Sequence, residues 1–334
     1  MTGGTSLRIG IIGGGSIGLL FASKLAAVGA EVTVWTRTEE QAFAIAAEGI
    51  RLWDAEGGEH TIVAGGEWLS RERLAKMEAG QLERADWYLL ALKQTDLSKE
   101  TSELIAELIR RTPDRPPLLC IQNGTGHLGK LTAASAGDFS IYNAVTSSGA
   151  KREDMRSVRH TGQGSLFLAG TPEWSQGDRR NQGAEDDIRQ KMLLTFLNRA
   201  GFDASLSNDI HNRVCQKLLI NAVINPLTAL YDIRNGELPA HPARRSLMKA
   251  LHDETKPVLL AAGMKEWPDS WESVLGVCER TSCNVSSMLA DVRAGKGTEI
   301  DSINGEIARM AAARGLSAPL NESMLRLVEA LGKR

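Results

Sequence analysis

The chain has 334 residues, 42% hydrophobic and 24% charged, which allows two globular domains of ordinary size, each with its own core. A net charge of -2 excludes the global basic field of a protein that binds nucleic acid. The four cysteines (Cys120, Cys215, Cys278, Cys283) are scattered and the six histidines lack metal-ligand spacing, so no metal is expected and a reducing, cytoplasmic setting is.

The first element, Leu7-Arg-Ile-Gly-Ile-Ile12, reads as a strand; it is too short and glycine-broken for a membrane span or signal core. Gly13-Gly-Gly15-Ser-Ile-Gly18 follows at once, then a helical apolar pattern from Leu19 to Val28 that stops at Gly29, then a strand Glu31–Trp35. Strand candidates recur at Trp87–Leu92, Pro117–Ile121, Ser140–Val145 and Gly164–Ala169, and strands alternating with helices imply a parallel sheet. The polar stretch Trp174–Asp187 reads as an exposed loop. Beyond Asp209 helical periodicity dominates, which places a domain boundary near residue 207 and divides the chain into 1–207 and 208–334.

A lone Gly-x-Gly-x-x-Gly is a weak signal in a glycine-rich chain. Here it follows a strand and opens a helix, the context of a dinucleotide-binding loop. Gly13 permits the tight turn, Gly15 lets backbone approach a pyrophosphate, and Gly18 lets helix pack on strand. The free N–H groups of the following helix then face the phosphates. About 20 residues on, where an NAD-preferring site carries Asp or Glu, this chain has Trp35-Thr36-Arg37. An arginine can hold a 2′-phosphate through two N–H bonds, so NADP(H) is the expected cofactor, although Glu39 and Glu40 lie close by.

Lys93 and Gln122-Asn123-Gly124 fall just past strand ends, where ligands bind in open α/β sheets and where loops also favour such residues. Further on, Lys217, Asn221 and Asn225 stand four apart among Leu, Ile, Val and Ala. At roughly 100° per residue they share one helix face. Burying an unpartnered amide costs roughly 1–3 kcal/mol, and an unpaired charge more. Either the lysine snorkels and the amides bond nearby backbone, or the stripe lines a cleft for a small oxygen-rich molecule, with the lysine as proton source.

From Arg8 to about Ala330 the chain resembles the ketopantoate reductases (2-dehydropantoate 2-reductases). The resemblance is carried by Ile121-Gln-Asn-Gly124, Lys217 through Ala229, Asn235-Gly-Glu-Leu238, Asn284-Val-Ser-Ser-Met-Leu289 and Thr298-Glu-Ile-Asp301. It implies an α/β N-terminal Rossmann-type dinucleotide-binding domain and an all-α C-terminal domain like that of 6-phosphogluconate dehydrogenase, with the substrate cleft between them. By motif, Lys217 corresponds to the family's proton donor, and Asn221, Asn225, Asn235 and Ser287 to its substrate-binding residues. Gly13, Gly14, Gly15, Ser16, Ile17, Gly18, Arg37, Lys93, Asn123, Ala150 and Glu299 correspond to its cofactor contacts, Asn123 also lying near the substrate. Residues 144–150 match only loosely, so Ala150 rests on the thinnest correspondence.

The expected reaction is NADPH-dependent reduction of 2-dehydropantoate to (R)-pantoate, on the route to pantothenate and coenzyme A. A lysine ammonium whose pKa burial lowers toward neutrality can hydrogen-bond the carbonyl oxygen and then release its proton. Glu299 can pair with Lys217, orient it, or orient the nicotinamide ribose; the residues leave these open. Two alternatives keep the cofactor fold: reduction of another small 2-keto acid, and a non-catalytic NADPH-sensing protein, which the presence of Lys217 disfavours. No nucleic-acid or membrane partner is expected, and the helical C-terminal half offers apolar faces on which two copies can pair.

Overall fold

The structure is a computed structural model that describes residues 6–77, 82–172 and 179–332. Its contacts divide the chain into two compact units. The first comprises residues up to Leu92 together with Asp96–Gln122 and Leu128–Ile210; the second comprises Lys93–Thr95, Asn123–His127 and everything from His211 on.

In the first unit the elements run β1 (Arg8–Ile12), α1 (Ser16–Ala27), β2 (Glu31–Thr36), α2 (Glu39–Glu48), β3 (Ile50–Trp53), β4 (Glu59–Ile62), β5 (Gly65–Trp68) and α3 (Arg71–Lys76). They continue with β6 (Trp87–Leu90), α4 (Lys99–Arg111), β7 (Leu118–Cys120), α5 (His127–Ser135), β8 (Ile141–Thr146), β9 (Gly149–Arg152), β10 (Ser157–Gly162), β11 (Ser165–Ala169), α6 (Arg179–Arg199) and β12 (Asp203–Ser207). One sheet has the order β12-β11-β8-β7-β6-β1-β2-β5. Its six strands from β5 to β8 are all parallel; in chain order they run 3-2-1-4-5-6, the doubly wound arrangement of a Rossmann-type domain. Strands β6 and β7 are buried at every residue, which accounts for their unbroken apolar sequences. Beyond β8, β11 joins antiparallel and β12 parallel to it.

A second sheet, of order β4-β3-β10-β9, goes beyond the strands expected from patterning. Its strands alternate polar and apolar residues only weakly, and β4 has no buried residue, so period-2 patterning is faint. This sheet explains why α1 buries Gly18 through Ser23 and Leu25 without a polar face. The helix packs on β1 and β2 of the large sheet and on β3, β4, β9 and β10 of the small one. By contrast, α4 has solvent on one side and buries Ser102, Ile105, Ala106, Leu108 and Ile109 on the other.

The expectation of a loop from Trp174 to Asp187 needs correction. Residues 173–178 lie outside the described set, but α6 begins at Arg179 and runs to Arg199. Arg, Gln, Ala and Glu are good helix formers, and the apolar second half of α6 packs Leu193, Phe196 and Leu197 into the core. Packing extends the helix where polarity alone suggests a loop.

From His211 on, the second unit is helical: the rest of α7 (Ile210–Tyr231), then α8 (Pro242–Ala261), α9 (Ser270–Arg280), α10 (Ser287–Arg293), α11 (Glu306–Ala312) and α12 (Pro319–Leu331). A π-helical turn, Asp301–Gly305, leads directly into α11. Helix α7 is the spine of this unit. Leu218, Leu219 and Ala222 enter one apolar cluster with Ile300, Ile303 and Ile307, while Val223, Ile224 and Leu227 enter another with Leu251 and Val274.

Candidate active site

In the first unit the glycine loop has the geometry its spacing implies. Gly13 has φ of 115°, and a Cβ there would lie 2.9 Å from Leu92 Cδ2. A Cβ on Gly18 would lie 1.8 Å from the Gly13 carbonyl oxygen, so only glycine lets α1 fold back on the loop. Around Gly15 nothing lies within 4 Å of such a Cβ. Open space there, at the N-cap of a helix that no side chain caps, is what an approaching pyrophosphate requires. The loop is braced from behind. Gln41 donates from Nε2 to the Gly14 carbonyl (2.8 Å), Arg152 donates from a guanidinium N–H to the same carbonyl (3.2 Å), and the Arg152 amide donates to Ser16 Oγ (3.1 Å). Ala150 sits two residues before Arg152 on β9, paired with His160.

Arg37 follows directly on β2. Its side chain is 82% exposed and lies 3.5 Å from Asp96, while Trp68 Nε1 donates to its carbonyl at 3.1 Å. The guanidinium is therefore available to a ligand, with a carboxylate as competitor.

In the second unit α7 displays Lys217, Asn221 and Asn225. Lys217 and Asn221 are half-buried and Asn225 is buried. Burial pushes the Lys217 ammonium down to about 8, against the opposing pull of the Glu299 carboxylate.

Glu299 is itself buried and held at both oxygens. The Gln94 backbone amide donates to Oε1 (3.2 Å) and Asn123 donates from Nδ2 to Oε2 (3.1 Å). Gln94 also donates from its side chain to the Asn123 carbonyl and lies 3.3 Å from His127. Gly124, at φ of 77°, brings this segment against the π-turn; a Cβ there would lie 2.7 Å from the Ser302 carbonyl oxygen. Lys93 pairs with Asp291 of α10 at 2.5 Å. Gln94, Asn123, Glu299 and Lys217 therefore belong to one polar system, with Lys93 adjoining it as the chain neighbour of Gln94.

Two further hydrogen-bonded links involve Asn235 and the chain neighbours of Asn225 and Ser287. The Asn235 amide N–H donates to the Asn284 carbonyl (3.1 Å) and its side chain donates to Thr281 (2.9 Å), leaving Asn235 Oδ1 buried without a partner among the described residues. Thr228, one turn past Asn225, lies 2.7 Å from Ser286 Oγ, which also caps α10 by accepting from the Leu289 amide. With Ser286 doing the capping, Ser287 is left exposed at the first position of that helix.

Sequence reasoning does not find Gln94, Asp291 and Asn304. Only Gln94 carries a local signal, its place beside Lys93 after a strand end. Asp291 lies 198 residues from its partner, and Asn304 acts on a carbonyl 82 residues away.

Comparison with known proteins gives the chain relatives in both sequence and fold. The family described as Ketopantoate reductase PanE/ApbA matches residues 9–173, and its C-terminal counterpart matches residues 209–332. The chain is 37% identical over 327 residues to the 2-dehydropantoate 2-reductase of Bacillus subtilis (strain 168), covering 97% of each. Among solved structures, a probable 2-dehydropantoate 2-reductase from Bacillus subtilis matches with a TM-score of 0.75 at 33% identity, over 97% of this chain and 100% of that one. A ternary structure of D-mandelate dehydrogenase with NADH and anilino(oxo)acetate matches with a TM-score of 0.81 at 24% identity, over 97% and 98%, a likeness of fold.

Proposed function

Because the chain belongs to the ketopantoate reductase family and is an oxidoreductase, we propose that it reduces 2-dehydropantoate to (R)-pantoate with NADPH, Lys217 donating the proton. The observation that carries this reading is the half-buried Lys217. Burial brings its ammonium down to about 8 against the pull of the Glu299 carboxylate, which is itself anchored by an amide, and its helix face also bears Asn221 and Asn225.

The residues fit the cofactor. The open space at Gly15 suits a pyrophosphate and the exposed Arg37 a 2′-phosphate, and Lys93, Asn123, Ala150 and Glu299 are the further contacts of this reading. When bound, the nicotinamide supplies a hydride to the carbonyl carbon of the keto acid. Lys217 holds the carbonyl oxygen by an N–H bond, which polarises the C=O group, and passes a proton from Nζ to that oxygen as negative charge develops on it. The lysine is left neutral, a state its lowered pKa makes accessible, and regains its proton from water. Glu299, fixed by Gln94 and Asn123, opposes the desolvation of the ammonium and keeps enough of it charged near neutrality. The amides of Asn221 and Asn225 and the Ser287 hydroxyl orient the carboxylate. Asn235 Oδ1, a buried acceptor without a partner among the described residues, suits the terminal hydroxyl that 2-dehydropantoate carries and simple 2-keto acids lack.

The test is NADPH consumption by the purified protein with 2-dehydropantoate and a panel of 2-keto acids that includes an aryl one. The highest kcat/KM is expected for 2-dehydropantoate. Turnover confined to another acid would reassign the substrate, and tight NADPH binding without turnover on any acid would remove the enzymatic reading.

A further inference from the structure

Helix α7 contains a proline, Pro226, one residue after Asn225. Proline has no N–H, so the Ala222 carbonyl, four residues back, loses its helical donor. That carbonyl does not go unsatisfied: Asn304 donates to it from Nδ2 at 3.0 Å. The second Nδ2 hydrogen goes to Asn321 Oδ1 at 2.9 Å. Asn321 is fixed in turn, its Nδ2 bonding Glu254 (2.9 Å) and Thr255 (3.0 Å). Both asparagines are fully buried.

Three features make this more than a satisfied core amide. Asn304 Oδ1 is buried with no partner among the described residues, a cost that a core otherwise avoids. Asn304 lies in the π-turn, a wider turn that buries Ile303, Asn304 and Gly305 in succession. The same helical run begins immediately after Glu299, five residues before Asn304, while Ala222 lies five residues after Lys217 on α7. The bond thus ties the backbone that carries Glu299 to the backbone that carries Lys217. The bonds that Gln94 and Asn123 make to Glu299 do not involve the α7 backbone. Packing of Ile300 and Ile303 on Leu218 and Ala222 brings the two segments together but, being non-directional, does not fix their register.

We propose that Asn304 is a positioning residue, which uses the carbonyl freed by Pro226 to set the place of Glu299 relative to Lys217. The proposal rests on Lys217 as proton donor, and the control is Lys217→Ala. If that variant keeps near-normal kcat, the donor assignment fails before Asn304 is in question. Given a working donor, kcat is measured against pH for wild type, Asn304→Leu and Pro226→Ala/Asn304→Leu, with the melting temperature of each. Asn304→Leu should lower kcat at least tenfold, with little change in KM for NADPH, and should move the alkaline limb of kcat to lower pH as the carboxylate recedes. In the double variant residue 226 regains an N–H for the Ala222 carbonyl, so its melting temperature should recover while the limb stays displaced. An unmoved limb in Asn304→Leu, or a wild-type limb in the double variant, would show that the amide only fills a gap in the helix. Should Asn304→Leu fail to fold, the double variant decides the matter alone.

Discussion

Lys217 and Glu299 act on each other in opposite senses, and the pH dependence of turnover reports both. Reduction needs a charged lysine, so kcat/KM should fall as pH rises through about 8, the value to which burial brings the ammonium in the free protein. Replacing the carboxylate as Glu299→Gln takes away the charge whose pull raises this pKa, so the limb should move to lower pH. Stopped-flow or steady-state profiles across the neutral and alkaline range check both, and a limb that moves up instead would refute the pairing. Arg37 and Asp96 make a second opposed couple, 3.5 Å apart at the surface. Arg37→Ala should raise KM for NADPH at least tenfold more than for NADH, whereas Asp96→Asn should favour NADPH by removing a charge that repels a 2′-phosphate. Equal effects on both nucleotides would count against NADP(H) as the preferred cofactor. Residues of this kind are legible in sequence when their chemistry is local, as with the Lys217 stripe and the glycine loop. Gln94, Asp291 and Asn304 are not, because what defines each is a partner far along the chain.

Among elements, the βα turn at Gly13–Gly18 separates two demands that a glycine motif merges. Gly18 serves the fold, since a Cβ would sit 1.8 Å from a backbone oxygen that cannot move away without displacing the loop. Gly15 has open space and serves a ligand. Gly18→Ala should therefore lower the melting temperature by many degrees or prevent folding, while Gly15→Ala should melt within about 2 °C of wild type yet bind NADPH at least tenfold more weakly. Thermal melts and fluorescence titrations separate the two, and a Gly15→Ala variant with normal affinity would take the pyrophosphate away from this loop. The parallel strands of the large sheet are readable because they are buried and continuously apolar. The small sheet is not. Its short strands include Glu59-His-Thr-Ile62 and Gly149-Ala-Lys-Arg152, whose polar residues resemble loop until the sheet's cover of α1 is known. The start of α6 reads as loop for a related reason, since its helicity depends on packing by residues far downstream.

For the molecule as a whole, the same lysine sets catalysis against stability. A charged group that folding desolvates binds its proton less tightly in the native state than in the unfolded one. Between about pH 8 and the unfolded value of 10.5, unfolded chains therefore hold more protons at this site, and native stability gains as pH rises through that window. Below it the full penalty is present; above it the lysine is neutral in both states and the penalty is gone. A tenfold weakening of proton binding corresponds to about 1.4 kcal/mol, and discounting for the partial exposure of Lys217 leaves an effect on the order of 1–3 kcal/mol. Lys217→Met removes the titrating group and nearly keeps the shape, so the difference in unfolding free energy between variant and wild type isolates it from every other ionisable residue. Relative to wild type the variant should be most favoured near neutral pH and should lose that advantage progressively as pH rises through the window, while remaining inactive throughout. Urea unfolding of both proteins at several pH values measures the difference. A constant difference would mean that the lysine is not desolvated in the native protein, and with it would go the physical basis for a proton donor tuned near neutrality.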